Sequence, residues 1–211
     1  ENKLAIEGIT IQGNAVTKDK IIYRELNFAV GDSTTLIELP KLIERSKNNL
    51  HNTALFNFVE INFLHSDEDV LIHIHVVERW YVWPIPIFEH AERNLPAWIK
   101  DPDFRKLNYG IQLDWENFRG RRELLSFRMR LGYKEQFALS YEKPNIGKAQ
   151  KHGIKFTLNK MRQHEVLLKS IDNKPYYFSD QSKYIYESFE SLFTYQYRRN
   201  LYLRHIFQIG F

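Results

Sequence analysis

Between Leu107 and Glu116, apolar and polar residues alternate without an exception. Leu107, Tyr109, Ile111, Leu113 and Trp115 occupy one parity, and Asn108, Gly110, Gln112, Asp114 and Glu116 the other. Residues on one face of a helix recur every three or four positions, so a period of two makes this stretch a β-strand with one apolar and one polar face. The pattern returns in Leu125, Phe127, Met129, Leu131 and Tyr133, set against Ser126, Arg128, Arg130, Gly132 and Lys134. It continues in Phe137, Leu139 and Tyr141, in Ile154, Phe156 and Leu158, in Phe189, Phe193, Tyr195 and Tyr197, and in Leu201, Leu203, Phe207, Ile209 and Phe211. About six antiparallel strands are expected over residues 105–211.

A soluble all-β sandwich would alternate in the same way. Three features favour a membrane barrel: polar faces of mixed charge, as a wet lumen carries; aromatics near strand ends; and a last strand that closes on Phe211. No apolar run is long enough for a membrane helix, and a mean hydropathy of -0.48 is no objection, because barrel strands give almost no hydropathy signal. Glu187 and His205 fall on the apolar parity and are therefore expected near a rim or against protein. With six strands, the polar and aromatic loop Lys160 to Asp180 would lie on the side where the first strand starts, and the Arg198-Arg199-Asn200 turn on the other.

Residues 1–78 read differently. Leu4 to Gly13 is an Ile-rich strand closed by Gly13-Asn14. A helix capped by Thr17 should follow, with Asp19 in its first turn and Ile22 and Leu26 on its apolar face. Leu36, Leu39, Ile43, Ser46 and Leu50 recur at three- and four-residue steps and predict a second helix over roughly residues 35–50, with Pro40 in its first turn. Leu55 to Leu64 and Val70 to Val77 are strands joined by the polar Ser66-Asp67-Glu68-Asp69. The order β-α-α-β-β buries helices on one face of a small sheet and leaves one long edge open to a partner.

Here the residues resemble a known family. Ile9-Thr10-Ile11-Gln12-Gly13-Asn14, Arg24-Glu25-Leu26, Gly31-Asp32, Asn49-Leu50 with Thr53-Ala54-Leu55-Phe56-Asn57-Phe58-Val59, and Val76-Val77-Glu78 are similar to a POTRA domain of the BamA-like outer-membrane assembly and translocation superfamily. Asn117-Phe118-Arg119-Gly120-Arg121, Gly132-Tyr133 and Ser140-Tyr141-Glu142-Lys143-Pro144 resemble the opening strands of such a barrel. Residues 79–104, with Trp80-Tyr81-Val82-Trp83-Pro84-Ile85-Pro86 and Arg93-Asn94-Leu95-Pro96-Ala97-Trp98, would be an aromatic, Pro-stiffened connector at the membrane interface.

The resemblance implies an outer-membrane protein with its POTRA domain in the periplasm, working in protein assembly or polypeptide translocation. Its partners would be unfolded outer-membrane or secreted polypeptides, outer-membrane lipid, and accessory subunits or additional copies. Client segments would add to the sheet edge at Leu55, Phe56, Phe58, Val59, Ile61 and Phe63. The first barrel strand, carrying Leu107, Tyr109, Ile111, Leu113 and Trp115, would be the lateral gate. About six strands cannot close a barrel, since single-chain barrels start at about eight. The chain is therefore expected to be the front of a longer protein or one share of a barrel completed by other copies. The alternatives are a translocation pore for a passenger domain of the same superfamily and a soluble all-β binding protein.

Catalysis is not expected. Cysteine is absent, and no GxSxG, P-loop, GxGxxG or HExxH motif occurs. His73 and His75 share a strand face, but no third ligand is evident, so neither a metal nor another cofactor is expected. The net charge of +4, from 30 basic and 26 acidic residues, is spread along the chain and does not point to nucleic acid. Arg119-Gly120-Arg121-Arg122, the densest basic run, reads as a solvated turn.

Overall fold

Val70, Ile72, Ile74 and Val76 are at most 1% exposed, while Leu71 and Val77 between and beyond them are open to solvent. This alternation makes their strand the centre of a sheet with one face in a core. The structure is a computed structural model that describes residues 3–66, 69–90, 104–147, 150–171, 174–180, 182–199 and 203–211. Two compact units form: one holds the residues up to Tyr81 together with Asn117–Arg122, the other Val82–Glu116 and Glu123–Phe211.

The first unit contains β1 (Leu4–Gln12), α1 (Asp19–Tyr23), β2 (Ser33–Thr34), α2 (Leu39–Asn52), β3 (Phe56–Ser66) and β4 (Asp69–Glu78). The sheet order is β2-β1-β4-β3, with β1 and β4 parallel and the other pairs antiparallel. Ile22 of α1 and Leu39 and Leu50 of α2 are wholly buried in one core with Leu4, Ile6 and Val59 of the sheet. The helical spacing therefore covers one face only, and β3 lies at the edge of the sheet.

Two local expectations are corrected. The position before α1 belongs to Lys18, whose side chain caps nothing, because the Thr17 hydroxyl is engaged elsewhere at 2% exposure. α2 starts at Leu39 rather than 35, because Thr35 first forms a turn in which its hydroxyl accepts the Glu38 N–H. Pro40 lies in the first turn of α2, where no helical partner awaits its missing N–H. Ser46 sits on the apolar stripe without penalty: its hydroxyl donates to Leu42 O at 2.8 Å and accepts the Asn27 N–H at 2.8 Å.

The second unit is an antiparallel meander: β5 (Val82–His90), β6 (Leu107–Phe118), β7 (Glu123–Gly132), β8 (Lys134–Ile146), β9 (His152–Gln163), β10 (Glu165–Ile171), β11 (Lys174–Ser179), β12 (Tyr186–Arg198) and β13 (Arg204–Gly210). Seven of these form one sheet in the order β13-β12-β9-β8-β7-β6-β5, and β10-β11 is a separate hairpin. The six alternating runs are the strands β6, β7, β8, β9, β12 and β13.

Residues 79–104 differ from the expected connector. Val82 to His90 pairs with β6 from Val82↔Trp115 to His90↔Leu107, without a register shift across Pro84 and Pro86. The two prolines share a parity and β5 is an edge strand, so their missing N–H groups cost the ladder nothing if they point to the open side. The Arg93 to Trp98 belt lies outside the described residues. Lys160 to Asp180 is likewise no simple loop, since β9 runs to Gln163 and a hairpin follows.

The extra strand reverses the expected sidedness. The end of the sheet where β5 begins carries the connections after β6, β8 and β12, and the β10-β11 hairpin stands at the opposite end.

Candidate functional site

The apolar parity of the large sheet forms continuous rows. Phe127, Leu139 and Leu158 adjoin across β7, β8 and β9, and Tyr141, Phe156, Phe193 and Ile209 across β8, β9, β12 and β13. Phe127, Leu139, Phe156 and Phe193 are each 40–45% exposed, a large apolar surface without protein over it. The other parity is hydrogen-bonded and polar: Gln136 to Asn159 at 2.9 Å, Asn159 to Glu190 at 3.3 Å, Ser140 with Thr157 at 3.3 Å, and Lys155 with Glu142 at 3.6 Å. Glu187 lies at the hairpin end of β12, its carboxylate 2.8 Å from the Lys160 ammonium, beside an Arg162–Glu135 pair at 2.6 Å. His205 lies at the other end, stacked on Tyr197 with centroids 6.3 Å apart. Glu187 and His205 therefore both sit at rims, and Lys160, Arg162 and Glu135 share the apolar parity at the rim of Glu187.

The expected gate strand is corrected. β6, which carries Leu107, Tyr109, Ile111, Leu113 and Trp115, is paired on both sides, by β5 and β7. Among the described residues, β5 is the first strand of this sheet and stands at its edge. Parity could not find it, because Trp83, Ile85 and Ile87 on one face and Val82, Pro84, Pro86 and Phe88 on the other leave no alternation.

In the small sheet, β3 is an edge strand in the place expected. Leu55, Phe56, Val59 and Ile61 are 0–8% exposed and belong to the core, so only their backbone is available to a partner. Phe58 is 47% exposed on the opposite face, facing Val77 across the ladder. Phe63 is half-buried beside α2, where a groove of about 400 Å³ runs along the edge, lined by Pro40, Ile43, Glu44, Lys47, Ile61, Asn62 and Phe63. His73 and His75 face Asn62 and Glu60, and the Thr10 hydroxyl lies 2.7 Å from His73 Nδ1. Among the described residues no three His, Asp or Glu side chains gather as metal ligands.

The Arg119-Gly120 turn is part of the first unit rather than a solvated loop. Lys18 N–H donates to Gly120 O at 3.0 Å, and a Cβ on Gly120 would meet Val16 O at 2.0 Å. Asn117, 2% exposed, donates through Nδ2 to the Thr17 hydroxyl at 2.8 Å and accepts the Arg122 N–H at 2.9 Å. The Glu78 carboxylate receives the Val16 and Thr17 N–H groups at 2.9 and 2.6 Å. Nothing in the local sequence marks a partner a hundred residues away.

Tyr81 completes this network, its hydroxyl donating to Leu55 O at 2.8 Å and lying 3.2 Å from that of Thr17. Burial is the main reason its phenol is pushed up from 10.0 to about 12. Unfolded Tyr81 loses its proton near pH 10.0 and folded Tyr81 near 12, so its contribution is whole below pH 10 and is lost as pH rises towards 12. The difference is worth about 2 kcal/mol. Denaturant titrations should therefore show a steeper fall in stability over this window in the wild type than in Tyr81→Phe.

Residues 4–79 match the POTRA family, described as a surface antigen variable number repeat. Curated proteins give no match. Among solved structures, BamA from Haemophilus ducreyi lacking POTRA domains 1-3 is similar at 15% identity and a TM-score of 0.53, over 98% of this chain and 47% of that one. CdiB from Acinetobacter baumannii is similar at 12% identity and a TM-score of 0.52, over 99% of this chain and 38% of that one. The chain thus spans less than half the length of either structure. Residues 4–79 thus match the POTRA family model, and the chain as a whole shares its fold, a small α+β unit followed by antiparallel strands, with the BamA structure.

Proposed function

We propose that this chain works in outer-membrane protein assembly or polypeptide translocation, with its large sheet in the outer membrane and its POTRA domain in the periplasm. The observation that carries this reading is the pairing, in one chain, of residues that match the POTRA family and hold an edge strand with a seven-stranded sheet whose one face carries apolar rows between charged rims. Seven strands leave β5 and β13 as edges, and an open edge in lipid is costly, so further strands complete the barrel. Accessory subunits and lipid are its further partners.

The action is non-covalent. An extended client segment adds to β3, whose backbone supplies hydrogen bonds that make little demand on client sequence, while the α2 groove receives its side chains. At the membrane, β5 takes the place first assigned to β6 as the edge on which a client strand forms.

A photocrosslinker at Asn62 on the β3 edge, compared with one at His73, its ladder neighbour in the interior strand β4, tests the client site. Both side chains lie on the uncovered face, so a client bound to that face labels both, whereas strand addition labels from Asn62 alone. Equal labelling from the two positions would remove edge addition from the mechanism.

A further inference from the structure

The first unit has a second open edge. β2 pairs with β1 only at Leu4 and Ala5, and the turn before it adds two bonds: Ile6 N–H donates to Asp32 O, and Gly31 N–H to Ile6 O, both at 2.9 Å. Beyond Ile6, β1 runs on to Gln12 with β4 on one side and, among the described residues, no strand on the other. The direction of its backbone groups follows from strand geometry. Residues whose side chains point to one face of a strand send their N–H and C=O groups to one side of it. Ile6 is buried on the core face and bonds away from β4, so Ile9 and Ile11, half-buried on that same face, bond away from β4 as well. The Tyr23 hydroxyl bears this out, reaching Ile9 O at 3.4 Å from α1. That bond is long enough for an incoming N–H to displace it. Among the described residues no other group bonds the outward side of Ile9 or Ile11.

Exposed strand edges are ordinarily blunted by charge, proline or brevity. β2 is two residues long, β5 holds Pro84 and Pro86, and β13 opens with Arg204 and His205. Ile9-Thr10-Ile11-Gln12 has none of these devices. Its outward groups call for a strand, since only an extended backbone offers donors and acceptors at matching spacing. The two faces beside the edge say which strand. On the core face an added strand would meet Ile9, Ile11 and, from α1, the exposed Tyr23; on the other it would meet Thr10 and Gln12, both exposed. The fit is to apolar residues on one parity and polar ones on the other, the pattern of this chain's own β6.

We propose that the β1 edge from Ile9 to Gln12 is a second binding site for extended polypeptide segments of alternating polarity, so that the first unit takes one strand at β3 and another at β1. This rests on the strand addition at β3 proposed above. It adds a site with backbone groups of its own on the opposite side of the sheet.

The test uses the full chain in detergent and a synthetic peptide of the β6 sequence, Leu107 to Phe118, at concentrations below saturation. Photocrosslinkers are placed in turn at Gln12, His75 and Glu60, which lie in one row across β1, β4 and β3. Addition at both edges labels the peptide from Gln12 and Glu60 and far less from the interior His75. Labelling from Glu60 alone overturns the β1 site and leaves β3 standing, whereas equal labelling from all three, or none from any, refutes strand addition itself. A Gln12 crosslink to a second copy of the chain in place of the peptide also overturns the proposal. Ile11→Pro removes the outward N–H without touching the β1–β4 ladder, and should lower labelling from Gln12 roughly fivefold, the worth of one backbone hydrogen bond, with labelling from Glu60 unchanged. Should both signals fall, the fold is at fault and Tyr23→Phe decides. It frees Ile9 O and keeps the ring, so a rise in Gln12 labelling supports the site and no rise overturns it.

Discussion

Phe156→Arg should destabilise the inserted protein by about 3 kcal/mol, whereas Thr157→Arg, one residue along the same strand, should change its stability by a few tenths of that. Phe156 is 45% exposed in the middle of the apolar rows, between Tyr141 of β8 and Phe193 of β12. A guanidinium there would have to enter hydrocarbon far from either rim. Thr157 points to the opposite face, beside the Ser140 hydroxyl at 3.3 Å and one row from Lys155 and Asn159, where water and carboxylates receive a cation at little cost. Urea unfolding in lipid vesicles measures the difference. Equal losses at the two positions would mean that the apolar face does not meet lipid, and the soluble all-β alternative would return.

The second large effect is at Gly120. Gly120→Ala should cost the first unit about 3 kcal/mol, while Gly147→Ala should cost about 1. Both glycines have positive φ, +69° and +81°, so an alanine pays similar backbone strain at either position. They differ in what surrounds them. A Cβ at Gly147 meets nothing within 4 Å, whereas one at Gly120 would lie 2.0 Å from Val16 O and disturb the Lys18–Gly120 hydrogen bond. Thermal unfolding of the two variants reads the gap directly. A Gly120→Ala variant no less stable than Gly147→Ala would show that the turn does not belong to the first unit.

Several elements were legible before any coordinates because their periodicity is locally complete. The run from Leu107 to Trp115 needs no tertiary knowledge to be a strand, and Leu39, Ile43, Ser46 and Leu50 need none to be a helix face. The POTRA order and the open β3 edge follow from the same signals, joined to the resemblance at residues 4–79. β5 was missed for a physical reason: an edge strand can be apolar on both faces and can hold proline wherever its N–H has no ladder partner. That single strand changed the count from six to seven and reversed which end of the sheet holds the β10-β11 hairpin.

The sequence by itself determined the alternation of faces, the placing of charge at strand ends and the two-part organisation, because each depends on residues a few positions apart. Only the tertiary structure decided which strands are edges, that four of the six expected client residues lie in the core, and that the Asn117 turn packs on Thr17. Each of those is settled by which distant backbone comes to lie alongside, and no local pattern encodes the identity of a neighbour.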